Sequence, residues 1–181
     1  MPALRAVVVM DYQNVHLTGA KLFAPRQPLH EFLVHPMHYA NQLIRVRNSK
    51  QRADGREAAL TRVLVYRGLP SATHDPDAYA WNMANKSSWE RSEQVNVTHR
   101  PLKYEYEWTA DGRRATDVHG REIVKGKREK GIDVLCALAV VREAAAADVD
   151  LVVLASQDTD LEPALDEACR LGHAKIETAS W

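Results

Sequence analysis

Five polar side chains fall where three apolar runs end or begin: Asp11, Asn14, Asp133, Asp158 and Asp160. The run Ala6-Val7-Val8-Val9-Met10 is broken by Asp11-Tyr12-Gln13-Asn14, and Leu151-Val152-Val153-Leu154-Ala155 by Ser156-Gln157-Asp158-Thr159-Asp160. Between them, Lys130-Gly131-Ile132-Asp133 opens the most apolar helical stretch of the chain. If the two runs are neighbouring parallel strands, their carboxyl ends release these acids into one crevice. Carboxylates crowded there repel one another and drive their pKa values up unless a cation neutralises them. Oxygen-only donors suit Mg²⁺ or Mn²⁺ rather than zinc. Metal-assisted phosphate chemistry is therefore expected. Singly, each acid has a plainer reading as a helix cap, a dipole partner or a turn residue. A cap needs one acid, however, and two acids two apart after a strand add only repulsion.

The elements that would position these groups alternate. Leu4 to Met10, continuous and β-branched, reads as a strand buried on both faces. A Pro- and Gly-containing loop is expected next, then a helix from Pro36 to about Arg52 with Pro at its start. Thr61 to Arg67 reads as the second strand, closed by Gly68 and Pro70. Asp75-Pro76 predicts an N-cap and first position for a helix to about Glu93, and Val95 to Lys103 a third strand. From Tyr104 to Lys125, the Asp111-Gly112 turn between polar stretches predicts an inserted hairpin or flap. Ile132 to Ala147 reads as a helix apolar nearly all round, hence buried, and Leu151 to Ala155 as the fourth strand. Thr159 to Leu171 is expected to be helical, with Thr159 and Glu162 at capping-box spacing and Gly172 at its end. Ala174 to Thr178 completes the set as a fifth strand. The fold class expected is α/β: one domain over 1–181, three layers, a mainly parallel sheet of about five strands with helices on both faces. Doubly wound folds often carry one more helix beyond such a strand, so a longer parent protein is also an expectation.

Composition narrows the classes. Formal net charge is zero, with 24 basic and 24 acidic residues among 181. That excludes a protein that coats nucleic acid by charge alone, and leaves a local basic path open. Cys136 and Cys169 form no C-x-x-C pair and fall among apolar neighbours in predicted helices, so buried free thiols and a reducing compartment are expected. No signal peptide and no apolar span of ~20 residues is visible, which predicts a soluble, cytoplasmic chain without membrane contact. His30, His35 and His38 lack a standard zinc spacing, and neither a dinucleotide fingerprint nor a P-loop is present. Two stretches, Arg45 to Arg67 and Arg100 to Lys130, are rich in basic residues, most of them expected to be simply solvated. The subset expected to line a phosphate path is Lys125, Lys127 and Lys130, which closely precede Asp133, and Arg67, which ends a strand on the same side as Asp11. Tyr12 is the aromatic nearest the acids and the one suited to stack a base. Oligomeric state is left open, a homodimer included.

Three segments together resemble a known family. They are Val8-Val9-Met10-Asp11-Tyr12-Gln13-Asn14, Glu129-Lys130-Gly131-Ile132-Asp133-Val134 and Leu154-Ala155-Ser156-Gln157-Asp158-Thr159-Asp160-Leu161. In this order they look like the NYN domain family of the PIN-like nuclease superfamily, over nearly the whole chain. Arg100-Pro101-Leu102-Lys103-Tyr104 and Tyr66-Arg67 look like its bacterial members. The resemblance implies a PIN-like, Rossmann-like sheet, one or two Mg²⁺ or Mn²⁺ ions, and hydrolysis of RNA, single-stranded or structured. Carried over by position, Asp11, Asn14, Asp133, Asp158 and Asp160 match the family's acidic cluster. Asp11, Asp133 and Asp158 are the expected direct ligands, with Asp160 direct or through water and Asn14 orienting a water or the substrate. Gln157 departs from the Gly that many relatives carry there. Two other classes compete: a non-catalytic RNA-binding adaptor that keeps the fold, and a small-molecule phosphohydrolase that needs no basic path.

Overall fold

Ala6 to Met10 are wholly buried because strand β1 (Leu4–Asp11) is hydrogen-bonded on both sides and covered on both faces. The computed structural model describes residues 2–50 and 55–180. β1 pairs in parallel with β2 (Ala58–Leu69) on one side and with β6 (Leu151–Ala155) on the other. β2 carries β3 (Val95–Pro101) and β6 carries β7 (Lys175–Ala179), again in parallel. The five-stranded order is β3-β2-β1-β6-β7, so the chain reverses its winding between β1 and β6. Such a switch point opens a crevice beyond the carboxyl ends of the two strands.

One face of the sheet presents Ala6, Val8, Met10, Val63 and Val65 to α1 (Tyr12–Phe23), α2 (Pro36–Lys50) and α3 (Pro76–Trp89). The other presents Val7, Val9, Val152 and Leu154 to α4 (Ile132–Ala144) and α5 (Glu162–Leu171). The alternation follows from the two-residue period of a strand. This is a three-layer α/β fold. A second, antiparallel sheet of β4 (Lys103–Tyr106) and β5 (Val124–Arg128) projects from the β3 end as an arm. Its outer part is closed by the bridges Trp108–Arg114 and Thr116–Glu122, with Gly112 and Gly120 at positive φ in its turns. No helix among the described residues is long and apolar enough to cross a membrane.

Several expectations need correction. The loop expected after β1 is α1, begun without a linking residue because the Asp11 side chain accepts the Asn14 N–H at 3.1 Å and caps it. Strand β2 is longer at both ends than Thr61 to Arg67, and a bulge between Ala6 and Val7 lets Thr61 donate its hydroxyl to the Ala6 carbonyl. Asp75 precedes α3 but caps nothing with its side chain, which instead receives the Tyr104 hydroxyl at 2.6 Å and Lys127 at 3.1 Å. The cap of the last helical segment is Asp158, accepting the Asp160 N–H at 3.0 Å, rather than Thr159; a 3₁₀ turn over Thr159–Leu161 then leads into α5. α4 ends at Ala144 and leaves Val134 and Leu138 largely exposed, so it is not buried all round. Cys136 is buried, but Cys169 is exposed on the outer side of α5. The predicted end of α2 at Arg52, and Asp54 and Trp181, lie outside the described residues.

Candidate active site

Asp11 is the last residue of β1, and its burial is set by that position: 7% of its surface remains accessible. Beside it, Gly131 adopts φ 77°, a left-handed turn into α4 that also packs against the Arg100 guanidinium. That turn brings Asp133 into the first turn of α4, where the helix dipole favours an anion. Ser156 to Asp158 leave β6 on its other side. The result is an open cleft of about 510 Å³ whose walls include Asp11, Asn14, Glu129, Lys130, Asp133 and Asp158.

The cleft is acidic, and its acids form no ion pairs among the described residues. Among the described residues, none of Asp11, Glu129, Asp133 and Asp158 has a lysine, arginine or histidine at salt-bridge distance. Burial pushes the Asp11 carboxyl up, the charges of Asp158 and Asp133 push it further, and the Asn14 and Gln13 N–H groups partly offset both. Glu129 is pushed up to about 7, by burial first and then by Asp11, against the pull of the Gly68 N–H and Arg67. The Gly68 N–H reaches Glu129 Oε1 at 2.6 Å, and a Cβ at Gly68 would stand 2.7 Å from Glu129 Cγ. Glycine there is what lets the carboxylate approach the strand.

Four of the five expected acidic-cluster residues share this cleft. Asp160 does not: it sits exposed on the 3₁₀ turn, outside the cleft wall, with its N–H held by Asp158. Asn14 lines the cleft, but its side-chain oxygen is taken by the Gln157 N–H at 2.9 Å, which ties α1 to the turn after β6. That hydrogen bond clamps the start of α1 to the turn after β6. Gln157 therefore contributes its backbone here and points its exposed side chain outward.

The basic set divides. Lys130 lines the acidic cleft. Lys125 and Lys127 lie on β5 and line a separate groove with His74, Asp75 and Tyr104. Tyr12 is 1% exposed and donates its hydroxyl to the Val34 carbonyl, so it is core and cannot stack a base from solvent. Arg67 lies above it, 4.4 Å from the ring centroid. The residue missed by sequence reasoning is Glu129. Its signal was its place four residues before Asp133 in the second motif; its partner Gly68 is 61 residues away and could not be read from it.

No three His, Cys, Asp or Glu side chains among the described residues converge on one point. Mg²⁺, however, keeps several waters and is usually held by one or two carboxylates plus substrate phosphates. Buried Asp11 with its raised pKa, Asp133 and Asp158, all oxygen donors without ion-pair partners, fit that mode.

No protein-family model matches the chain. No curated protein matches it either. Among solved structures, a protein of unknown function from Vibrio parahaemolyticus superimposes with a TM-score of 0.52 at 19% sequence identity, covering 97% of this chain and 80% of that one. At that identity the likeness concerns the fold alone, and it supports the three-layer α/β arrangement described above.

Proposed function

We propose that the chain is a cytoplasmic, metal-dependent ribonuclease of the NYN type within the PIN-like superfamily, hydrolysing RNA phosphodiester bonds at the acidic cleft. One observation carries the reading: four carboxylates line a solvent-open cleft at the topological switch point, and none of them is in an ion pair among the described residues. Retaining such repulsion is costly unless a cation and a phosphate complete the site. The choice of RNA comes from the motif resemblance.

Asp11, Asp133 and Asp158 are the groups that would hold Mg²⁺ or Mn²⁺. The chemistry such an ion would supply there is neutralisation of developing phosphate charge and a lowered pKa for water. Glu129, held near neutrality, is suited to take a proton from the attacking water or return one to the leaving oxygen, since efficient general acids and bases have pKa values near the working pH. Asn14 keeps the β1 and β6 turns in register through Gln157. Lys130 offers a positive charge to the phosphate backbone at the cleft wall.

A second reading, an RNA-binding adaptor without turnover, is favoured by the absence of three converging ligands among the described residues. The deciding experiment is cleavage of labelled single-stranded RNA and DNA with Mg²⁺, Mn²⁺ or EDTA, beside Asp11→Asn and Asp158→Asn proteins. RNA cutting that needs metal and is lost in both variants is the expected result. RNA binding without cutting, kept by the variants, establishes the adaptor, and neither binding nor cutting sinks both readings.

A further inference from the structure

Arg67, near the carboxyl end of β2, carries its guanidinium into a cage of three rings. Its carbon stands 4.4 Å from the Tyr12 centroid, 5.1 Å from Trp81 and 5.9 Å from Trp89. Nη1 is buried and has no hydrogen-bond partner. Stacking on aromatic faces attracts a guanidinium but supplies none of the in-plane acceptors that its N–H fork requires. Buried polar groups are otherwise almost always satisfied, so a guanidinium that lines a cavity and keeps one donor unpartnered calls for an acceptor.

The cavity is present. A pocket of about 160 Å³ is bounded by Tyr12, His16, Arg67, Gly68, Asn82 and Glu129 among others. It is small against the ~300–1,000 Å³ of ordinary small-molecule sites, and so takes one group rather than a whole nucleotide. Arg67 is the positive group on its wall, set against the Glu129 carboxyl that also lines it. Burial first, and then the Arg67 charge, hold His16 on the same wall below the ordinary imidazole range. Gln13, Leu17 and Glu129 line both this pocket and the acidic cleft, so the two are separated by a single wall of side chains.

We infer that the Arg67 pocket receives a single phosphoryl group of the substrate whose scissile bond lies in the acidic cleft, with the guanidinium donating to its non-bridging oxygens. The role of the neighbouring cleft in this statement rests on the hydrolytic reading above; the phosphoryl site itself does not. The planar fork of arginine matches phosphate in a way that a lysine does not. The phosphoryl group has two sources, a terminal phosphate monoester or an internal backbone phosphate.

The test begins without metal. Inorganic phosphate is titrated into the full chain in EDTA, against chloride at equal ionic strength, and tryptophan fluorescence is read, because Trp81 and Trp89 flank the guanidinium. A saturable, phosphate-specific change is expected, shifted at least 10-fold to weaker binding in Arg67→Met and by a smaller factor in Arg67→Lys, and kept in Arg62→Ala, since Arg62 pairs with Asp148 and Glu143 away from the pocket. The lysine variant retains the charge and serves if the methionine variant fails to fold. No phosphate-specific change, or one that both Arg67 variants keep unaltered, overturns the inference. Loss of cutting by the wild-type protein with phosphate binding intact would instead strike only the hydrolytic reading. A second arm compares RNA bearing a 5′-phosphate with the same RNA bearing a 5′-hydroxyl. A preference of 10-fold or more for the phosphate, lost in Arg67→Lys, assigns the pocket to the terminus. Equal use of both with KM raised in Arg67→Lys and kcat held assigns it to the backbone.

Discussion

At the amino-terminal edge of the sheet, Arg5 of β1 holds Asp150 at 2.8 Å, and Arg62 of β2 reaches both Asp148 at 2.6 Å and Glu143 at 2.8 Å. At the carboxyl edge, barely a strand's length away, Asp11, Glu129, Asp133 and Asp158 gather around a cleft with no such partner among the described residues. The same side-chain types behave oppositely. Arg5 holds Asp150 well below the usual carboxylate range and Arg62 lowers Asp148, whereas Asp11 and Glu129 are both raised. One edge has its charges paired within the chain; the other keeps four carboxyl groups without an ion pair among the described residues. The two edges differ in how their acids are paired and not in how many acids they carry.

Four perturbations separate the two edges. The largest effect is expected from Asp11→Asn. On the hydrolytic reading it lowers single-turnover RNA cleavage by ~10³-fold, corresponding to loss of several kcal/mol of metal-assisted stabilisation, while the thermal midpoint stays level or rises as repulsion is relieved. Unchanged cleavage, or a collapsed fold, would reject the idea that Asp11 is strained for function. Gly68→Ala comes next. Its methyl group would press on Leu102 and Glu129, and a destabilisation of about 1–3 kcal/mol by urea unfolding is expected, together with impaired cleavage because Glu129 must move.

At the opposite edge, Arg62→Ala leaves Glu143, 7% exposed, without its partner Arg62 and with Arg142 as its remaining ion pair. The expected cost is ~1–2 kcal/mol of stability, reduced by the partial exposure of Arg62, with cleavage unaffected. A loss of activity larger than the loss of folded protein would erase the distinction drawn between the edges. The smallest effect is a pH slope. A carboxyl that holds its proton more tightly when folded stabilises the fold at low pH, and that contribution is lost as pH rises from 4.5 through about 7. Melting points measured without metal should therefore fall by several degrees from pH 5 to pH 8, and Glu129→Gln should flatten the profile. An identical slope in the variant would place the titration elsewhere.

Much of this frame was legible in the chain. β1 and β6 declare themselves as unbroken β-branched runs because a strand covered on both faces has no solvent side to alternate with. The acids after them are legible for the same reason, since polarity returns only where the sheet ends. Helix α1 was hidden by its own start: the Asp11-to-Asn14 cap was absorbed into the acidic cluster, and Gly19 and Pro25 suggested a loop. The state of Glu129 was hidden because burial and a backbone donor from a distant strand create it. The Arg67 cage was hidden likewise, assembled from Tyr12, Trp81 and Trp89 on two helices. Local pattern reveals which atoms reach an edge, and only packing decides what they meet there.

The direct passage from β1 into α1 has a consequence for how this molecule can be altered. Asp11 closes the strand and Tyr12 opens the helix, so no connecting residue separates them. One residue inserted before Asp11 would send its carboxylate to the other side of the pleat, and one inserted after it would turn α1 by about 100° against the sheet. The position of the Asp11 carboxylate in the cleft thus depends on a joint with no adjustable length. The outer arm between Tyr106 and Val124 is under no such constraint, because its turns at Gly112 and Gly120 carry nothing within 4 Å of their open side. Insertions are therefore expected to be tolerated in that arm and not at the β1–α1 joint.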